Sequence, residues 1–259
     1  MTNASLLQVQ FRVVGALVLR EMRTRFGRSR AGYLWALVQP IGHISILTVV
    51  LASMQRAVPV GPSIQLFLAT GLIPYLLFMN LVTRLMTAIV SNQTLFTFPI
   101  VKILDAVAAR ALLEILTICL IGMLVLAGLA LLGLGLIPEE PANLAGALAA
   151  TALYGIGFGL TSMAIYSVFP AWDRIQALLL LPLYFCTGIF YVPDTLPVAF
   201  RDVIVWNPLL HGVEWFRSGF YANYGAATLD KGYFIGWGVS LLLVGLVLER
   251  VVCRGRATQ

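Results

Sequence analysis

His211, Glu214 and Arg217 follow one another at spacings of three, so a helix carrying them presents them near one side. An imidazole, a carboxylate and a guanidinium so placed can handle protons or hold a polar ligand. In apolar surroundings each is costly unless it is paired or faces water. Three arrangements follow: they line an aqueous exit, they bond across a helical hairpin, or they form a solvated face. Gln39 and His43 stand four apart beside Pro40. They either line a polar conduit or bond to a neighbouring helix or to carbonyls freed by the proline. Arg110 and Glu114, at i and i+4, are expected to pair, because an unpaired charge inside an apolar run is expensive. His43 with Ser45 or Ser162 permits a Ser–His pair in principle, but no hydrolase motif surrounds them.

Other chemistry is missing from the chain. No G-x-x-x-x-G-K-[ST] loop is present to cradle ATP phosphates, and no H-E-x-x-H or cysteine pair to hold a metal. Cys119, Cys186 and Cys253 are far apart and read as small hydrophobes. Gly155, Gly157 and Gly159 superficially suggest a dinucleotide loop, yet they sit inside a long apolar run. There Gly155 and Gly159, at i and i+4, form a small-residue face for close helix packing.

The elements that must position these residues are membrane helices. Of 259 residues, 60% are hydrophobic and 11% charged, with a mean hydropathy of +0.92. A soluble domain carries roughly 25% charged residues. Crossing a bilayer takes about 20 apolar residues, and the runs 33–54, 64–82, 111–134, 144–169, 175–191 and 233–248 qualify or nearly so. Residues 192–232 hold apolar pieces too short to cross, broken by Pro193, Pro197 and Asn207-Pro208, and are expected to form re-entrant or interfacial helices. With both termini inside, thirteen of the seventeen Lys and Arg residues fall on the inner side, against Arg56, Arg201, Arg217 and Lys231 outside. The net charge of +6 is thereby topological, and a nucleic-acid role has no support. Residues 1–5 are polar and no cleavage-like site follows, so insertion is expected to rely on an internal helix. Leu7, Phe11, Val14, Val18 and Met22 mark one face of an N-terminal helix, with Arg12, Arg20 and Arg23 opposite, as in a helix lying in the cytoplasmic interface.

The fold expected is all-α: a single 1–259 transmembrane domain with an interface helix over 1–31, spans one to five over 32–191, a re-entrant pair over 192–232 and a sixth span over 233–250. Tyr33, Trp35, Tyr191, Trp206, Trp215, Phe216, Phe220 and Tyr221 cluster at the interfaces of that layout. They fit an aromatic belt or, for some rings, stacking platforms for sugars. No carboxylate lies near the middle of a span, which argues against an ion-coupled secondary transporter.

Three segments carry a family resemblance: REMRTRFGRSRAGYLWALVQP at 20–40, NQTLFTFPIVKILD at 92–105, and 167–217 with VFPAWDRI, GIFYVPDTLP and WNPLLHGVEWFR. In their order and spacing they resemble the inner-membrane permeases of ABC exporters for capsular polysaccharide, to which O-antigen and teichoic-acid export permeases are related. The resemblance implies a homodimer with two separate ATPase subunits, which would hold ATP and Mg; this chain would hold no cofactor. It implies docking of the ATPase through Arg20, Arg23 and Arg25 and through Asn92, Leu95, Phe96, Phe98 and Pro99. It also implies re-entrant pieces at 195–206 and 209–221. A lipid-linked acidic polymer would meet Arg28, Arg30, Arg84 and Arg174 at the cytoplasmic mouth, with Tyr33, Trp35, Trp206, His211, Glu214 and Arg217 as further path residues. A periplasmic co-polymerase or adaptor is a further candidate partner. The family usually has proline after the lysine of the second segment, where this chain has Lys102-Ile103. Cargo alternatives within the same class are O-antigen, teichoic acid or a small molecule.

Overall fold

Several of the long helices begin where a side chain takes up a free N–H group. In the computed structural model, which describes residues 6–26, 31–54, 58–97, 100–221, 224 and 227–253, Ser63 accepts from the Leu66 N–H at 3.1 Å and opens α3 (Ile64–Met86). Helix α4 (Ile103–Leu131) opens with the Asp105 carboxylate accepting from the Lys102 N–H at 2.9 Å, so it starts well before the apolar run at 111. Pro141 occupies the first turn of α5 (Pro141–Val168). Before them come α1 (Leu6–Phe26) and α2 (Ala31–Ser53); after them come α6 (Trp172–Phe185), α7 (Val198–Ile204), α8 (Pro208–Ser218) and α9 (Lys231–Leu248). A 3₁₀ segment, Val90–Leu95, joins α3 to α4. The described residues contain no strand, in agreement with the all-α expectation.

Among the described residues, four helical stretches are long and apolar enough to cross a bilayer: Ile64–Met86, Ile103–Leu131, Pro141–Val168 and Lys231–Val252. Helix α2 has 23 residues, of which Leu37–Ser53 form a further apolar helical stretch among the described residues, and α6 is shorter than a span. Helix α6 has 14 residues, because the chain turns after Phe185 through Gly188, whose φ of +75° a side chain would strain. The 175–191 run is therefore helix followed by turn. At 1.5 Å per residue the 29-residue α4 is about 44 Å long, more than the ~30 Å hydrocarbon core, so part of it projects.

The packing centre is α5, held between α3 and α9. A Cβ on Gly155 would lie 2.9 Å from Leu81 Cδ1, and one on Gly159 2.8 Å from Leu85 Cβ, both on α3. On the other flank a Cβ on Gly157 would lie 2.5 Å from the Leu242 backbone nitrogen of α9. The glycines thus serve close packing, as their spacing indicated. Phe78 and Tyr154 stack at 5.0 Å in the α3–α5 seam. Helix α3 is almost wholly buried, whereas α2 and α6 leave large apolar side chains such as Trp35, Ile46, Val49 and Leu178 exposed. These two outer helices meet through His43 Nε2 and the Tyr184 hydroxyl at 2.7 Å, the bond to a neighbouring helix that His43 was read as able to make.

Candidate functional site

Two polar constellations sit at opposite ends of the bundle. The first is where α1 crosses α4. At about 100° per residue, Gln10, Leu17 and Glu21 share one side of α1, and Leu17 is buried there. The apolar stripe of Phe11, Val14, Val18 and Met22 flanks that side, and Phe11 is 77% exposed. Arg12 and Arg23 point away and are exposed. A half-exposed apolar stripe beside a packed polar side suits a helix lying at a membrane surface.

Three side-chain links fasten α1 to its surroundings. Gln10 donates to Asp105 Oδ1 at 2.5 Å, using the oxygen that the α4 cap leaves free. Arg20 donates to Asn92 Oδ1 in the 3₁₀ segment, and Asn92 in turn donates to the Ala88 carbonyl at 2.8 Å. Glu21 pairs with Arg110 Nε at 3.1 Å. Arg110 also donates to the Arg84 carbonyl at 2.9 Å and the Thr87 hydroxyl at 3.3 Å, which places a cation on the electronegative C-terminal end of α3. Arg84 reaches Glu114 at 3.7 Å. The charges expected to pair as Arg110 and Glu114 are thus tied to other helices.

The second constellation surrounds α8. Asn207 caps it by accepting from the Leu209 N–H at 3.1 Å, and Pro208 fills the first turn, so the Asn207-Pro208 break falls where the sequence put it. His211 is buried. Its Nδ1 accepts from the Asp230 N–H at 3.0 Å, so Nε2 carries the proton and donates to the Val205 carbonyl at 2.9 Å. Burial holds its pKa below 6.5, consistent with a neutral ring. Glu214 has no exposed surface and accepts from the Thr228 hydroxyl at 2.7 Å. Burial pushes its carboxyl up to about 7; Thr228 opposes the rise and the charge of Asp194 adds to it.

Arg217, also without exposed surface, donates to the carbonyls of Gly188 at 2.6 Å, Ile189 at 3.0 Å, Phe67 at 3.3 Å and Tyr191 at 3.4 Å. Its guanidinium lies 3.9 Å over the Phe67 ring. The positive φ of Gly188 turns the chain so that three of these carbonyls converge. Beside α8 an open cleft of about 860 Å³ is lined by Asp194, Arg201, Asp202, Trp206, His211, Asp230, Lys231 and Tyr233. Trp206 stands 76% exposed at its rim.

Among the residues expected to dock an ATPase, the structure joins the partly exposed Arg20 to the buried Asn92. Arg23 is exposed, and Leu95 and Phe96 are half-buried. Arg25 and Tyr33 fall within α1 and α2. Arg28, Arg30, Phe98 and Pro99 lie outside the described residues. Trp35 and Arg174 are exposed, and Arg84 is half-exposed in its pair with Glu114. His211, Glu214 and Arg217 share α8 but not one surface: only His211 touches the cleft, and a solvated face is ruled out by their burial. Sequence reasoning passed over Gln10, Glu21, Asp105, Asp202 and Thr228. Glu21 had a signal, being the lone acid among the arginines of residues 1–31, and Asp105 had one as a helix-capping acid.

A bundle of long apolar helices, with an N-terminal helix fastened to the connection between two of them, is the architecture of a multi-pass membrane protein. Residues 12–221 match the family described as ABC-2 type transporter, and the chain belongs to it. The chain is 33% identical over 243 residues to the polysialic acid transport protein KpsM of Escherichia coli, covering 94% of each. It is 28% identical over 253 residues to the capsule polysaccharide export inner-membrane protein BexB of Haemophilus influenzae, covering 96% of this chain and 94% of the relative. The same figures, 28% over 253 residues with 96% and 94% covered, hold for the capsule polysaccharide export inner-membrane protein CtrC of Neisseria meningitidis serogroup B.

Proposed function

We propose that this chain is the transmembrane subunit of an ATP-driven exporter that moves lipid-linked capsular polysaccharide across the bacterial inner membrane. The end-to-end likeness to a polysialic acid transport protein and two capsule polysaccharide export proteins carries the reading. In this reading α2 and α6 complete a set of six spans, their exposed apolar faces meeting lipid and a second copy. The pieces α7 and α8 form a re-entrant pair on the outer side, and both termini are cytoplasmic. The excess of Lys and Arg assigned to the inner side supports that orientation.

A polar glycan needs a protein-lined path and an energy source. The chain supplies the path; two partner ATPase chains, holding ATP and Mg, supply the energy. The partner docks below α1 and the 3₁₀ segment, where Arg23 is exposed and Leu95 and Phe96 are half-exposed. Arg84 and Arg174 stand at the inner mouth and attract an acidic polymer. Trp206 and the cleft beside it stand at the exit, where an exposed ring and mixed charges suit a hydroxyl-rich chain.

Deleting the gene is expected to remove surface polymer and accumulate it inside the cell, with restoration by the intact gene. Normal surface polymer in the deletion strain would sink the reading. Purification of the tagged chain in mild detergent is expected to bring down an ABC ATPase; a chain that exports without one contradicts the energy source assigned here.

A further inference from the structure

Arg110 is placed where three helices meet. It belongs to α4, pairs with Glu21 of α1 at 3.1 Å, and holds the last carbonyls of α3 through Arg84 and Thr87. The other two links, Gln10 to Asp105 and Arg20 to Asn92, fasten α1 to the start of α4 and to the 3₁₀ segment. From Gln10 to Glu21 the chain advances about 16 Å along α1, while Asp105 to Arg110 covers about 8 Å along α4. The contacts therefore converge along α4, as they must when two helices cross, and the long Arg110 side chain covers the remainder. Asn92, Asp105 and Arg110 are all buried, which suits a joint that does not slip.

Helix α3 then runs to the opposite end of the molecule. Its 23 residues span about 35 Å, and it is almost wholly buried. In its first turn Phe67 meets Arg217 of α8 through its carbonyl, at 3.3 Å, and through its ring, at 3.9 Å. One buried helix is thus gripped at its two ends by arginines from different elements.

We infer that Arg110 is a positioning residue for transport: it couples displacement of α1 to α3, and α3 acts as a connecting rod that moves α8 and the cleft beside it. The inference rests on the exporter reading above. A partner that shifts α1 on binding ATP moves the 3₁₀ segment and the start of α4 with it, because three links hold them as one body. Arg110 passes that displacement to the C-terminal end of α3, and Arg217 receives it at the other end. A rigid element gripped at both ends can carry coupling between distant sites, and a pair of links acting in series is non-additive under mutation.

The test uses the full chain purified with its co-expressed ATPase subunit in lipid nanodiscs. Val203→Cys, at an exposed position on α7, reports the α8 end in a background with Cys119, Cys186 and Cys253 replaced by Ser. Its maleimide labelling rate is expected to change at least threefold between nucleotide-free and ATP-bound complex. Glu21→Gln, and separately Arg110→Gln, should abolish that change while ATP hydrolysis per complex stays within twofold. Export in cells should fall about tenfold in each single variant and no further in the double. Should Arg110→Gln fail to insert, Glu21→Gln carries the test alone. A nucleotide response that survives in Glu21→Gln overturns the proposal, as does its absence from the unsubstituted complex. Hydrolysis that falls in step with export overturns it too, and so does a double variant whose losses multiply. Failure of the unsubstituted chain to bring down an ATPase is a different result, and sinks the exporter reading itself.

Discussion

Arg110 and Arg217 are both buried arginines of one small protein, and their partners differ in kind. Arg217 spends its hydrogen bonds on backbone carbonyls of one turn and of the adjoining α3, with an aromatic ring beneath it. Arg110 reaches a carboxylate of one helix and the terminal carbonyls of another. Backbone carbonyls fixed in a turn cannot leave, so the first arrangement clamps. A carboxylate on a separate helix with exposed neighbours travels with that helix, so the second connects. Burial alone thus does not separate a structural cation from a functional one; the mobility of the partners does.

The comparison is sharpest if the clamp is broken. Arg217→Met leaves converging carbonyls without donors in a buried site and should cost ~3–5 kcal/mol. The measurement is thermal unfolding and monodisperse yield in detergent, both expected to fall well below the unsubstituted chain. An unchanged melt would show that water replaces the guanidinium. As a control that touches neither arginine, Gly157→Ala forces α9 away from α5 and should cost about 1–3 kcal/mol. Gly128→Ala, with open space around it, should leave the melt unmoved.

Glu21→Gln should do less to the melt, about 1–2 kcal/mol, because the amide oxygen can still accept from Arg110 and that guanidinium keeps its bonds to the Arg84 carbonyl and the Thr87 hydroxyl. A loss as large as that of Arg217→Met would make Arg110 a second clamp. A smaller effect than that of Glu21→Gln is expected from Glu214→Gln, and it depends on pH. The folded pKa of Glu214, about 7, stands above its ordinary 4.5, so stability is lost as pH rises from about 4.5 to about 7, and the loss is complete above that. The variant should melt with the parent at pH 5 and slightly above it at pH 8. The gain is limited because the new amide brings donors that need partners. A gain at both pH values would assign the effect to packing.

Helices with long apolar runs were legible in the residues, and α3, α5 and α9 begin within a few positions of their expected starts. So was the break at Asn207-Pro208, because proline and a capping amide act locally. The end of α6 was not, since an apolar turn through Gly188 reads like continued span. Glu21 and Arg110 lie in separate helices, and nothing in either segment names the other. Arg217 was visible as a costly residue, but its acceptors are backbone oxygens, which every residue type supplies.

The glycines of α5 have one more consequence. Gly155 and Gly159 touch one neighbouring helix and Gly157 the opposite one, while Ile156 and Phe158 between them are only half-buried. A saturation scan across this stretch should show intolerance at every second position, with other apolar residues accepted between. A helix wedged between two others would thereby leave the alternating record usually ascribed to a β-strand, and a tolerance profile read without coordinates would assign the wrong secondary structure to the most tightly held turn of the molecule.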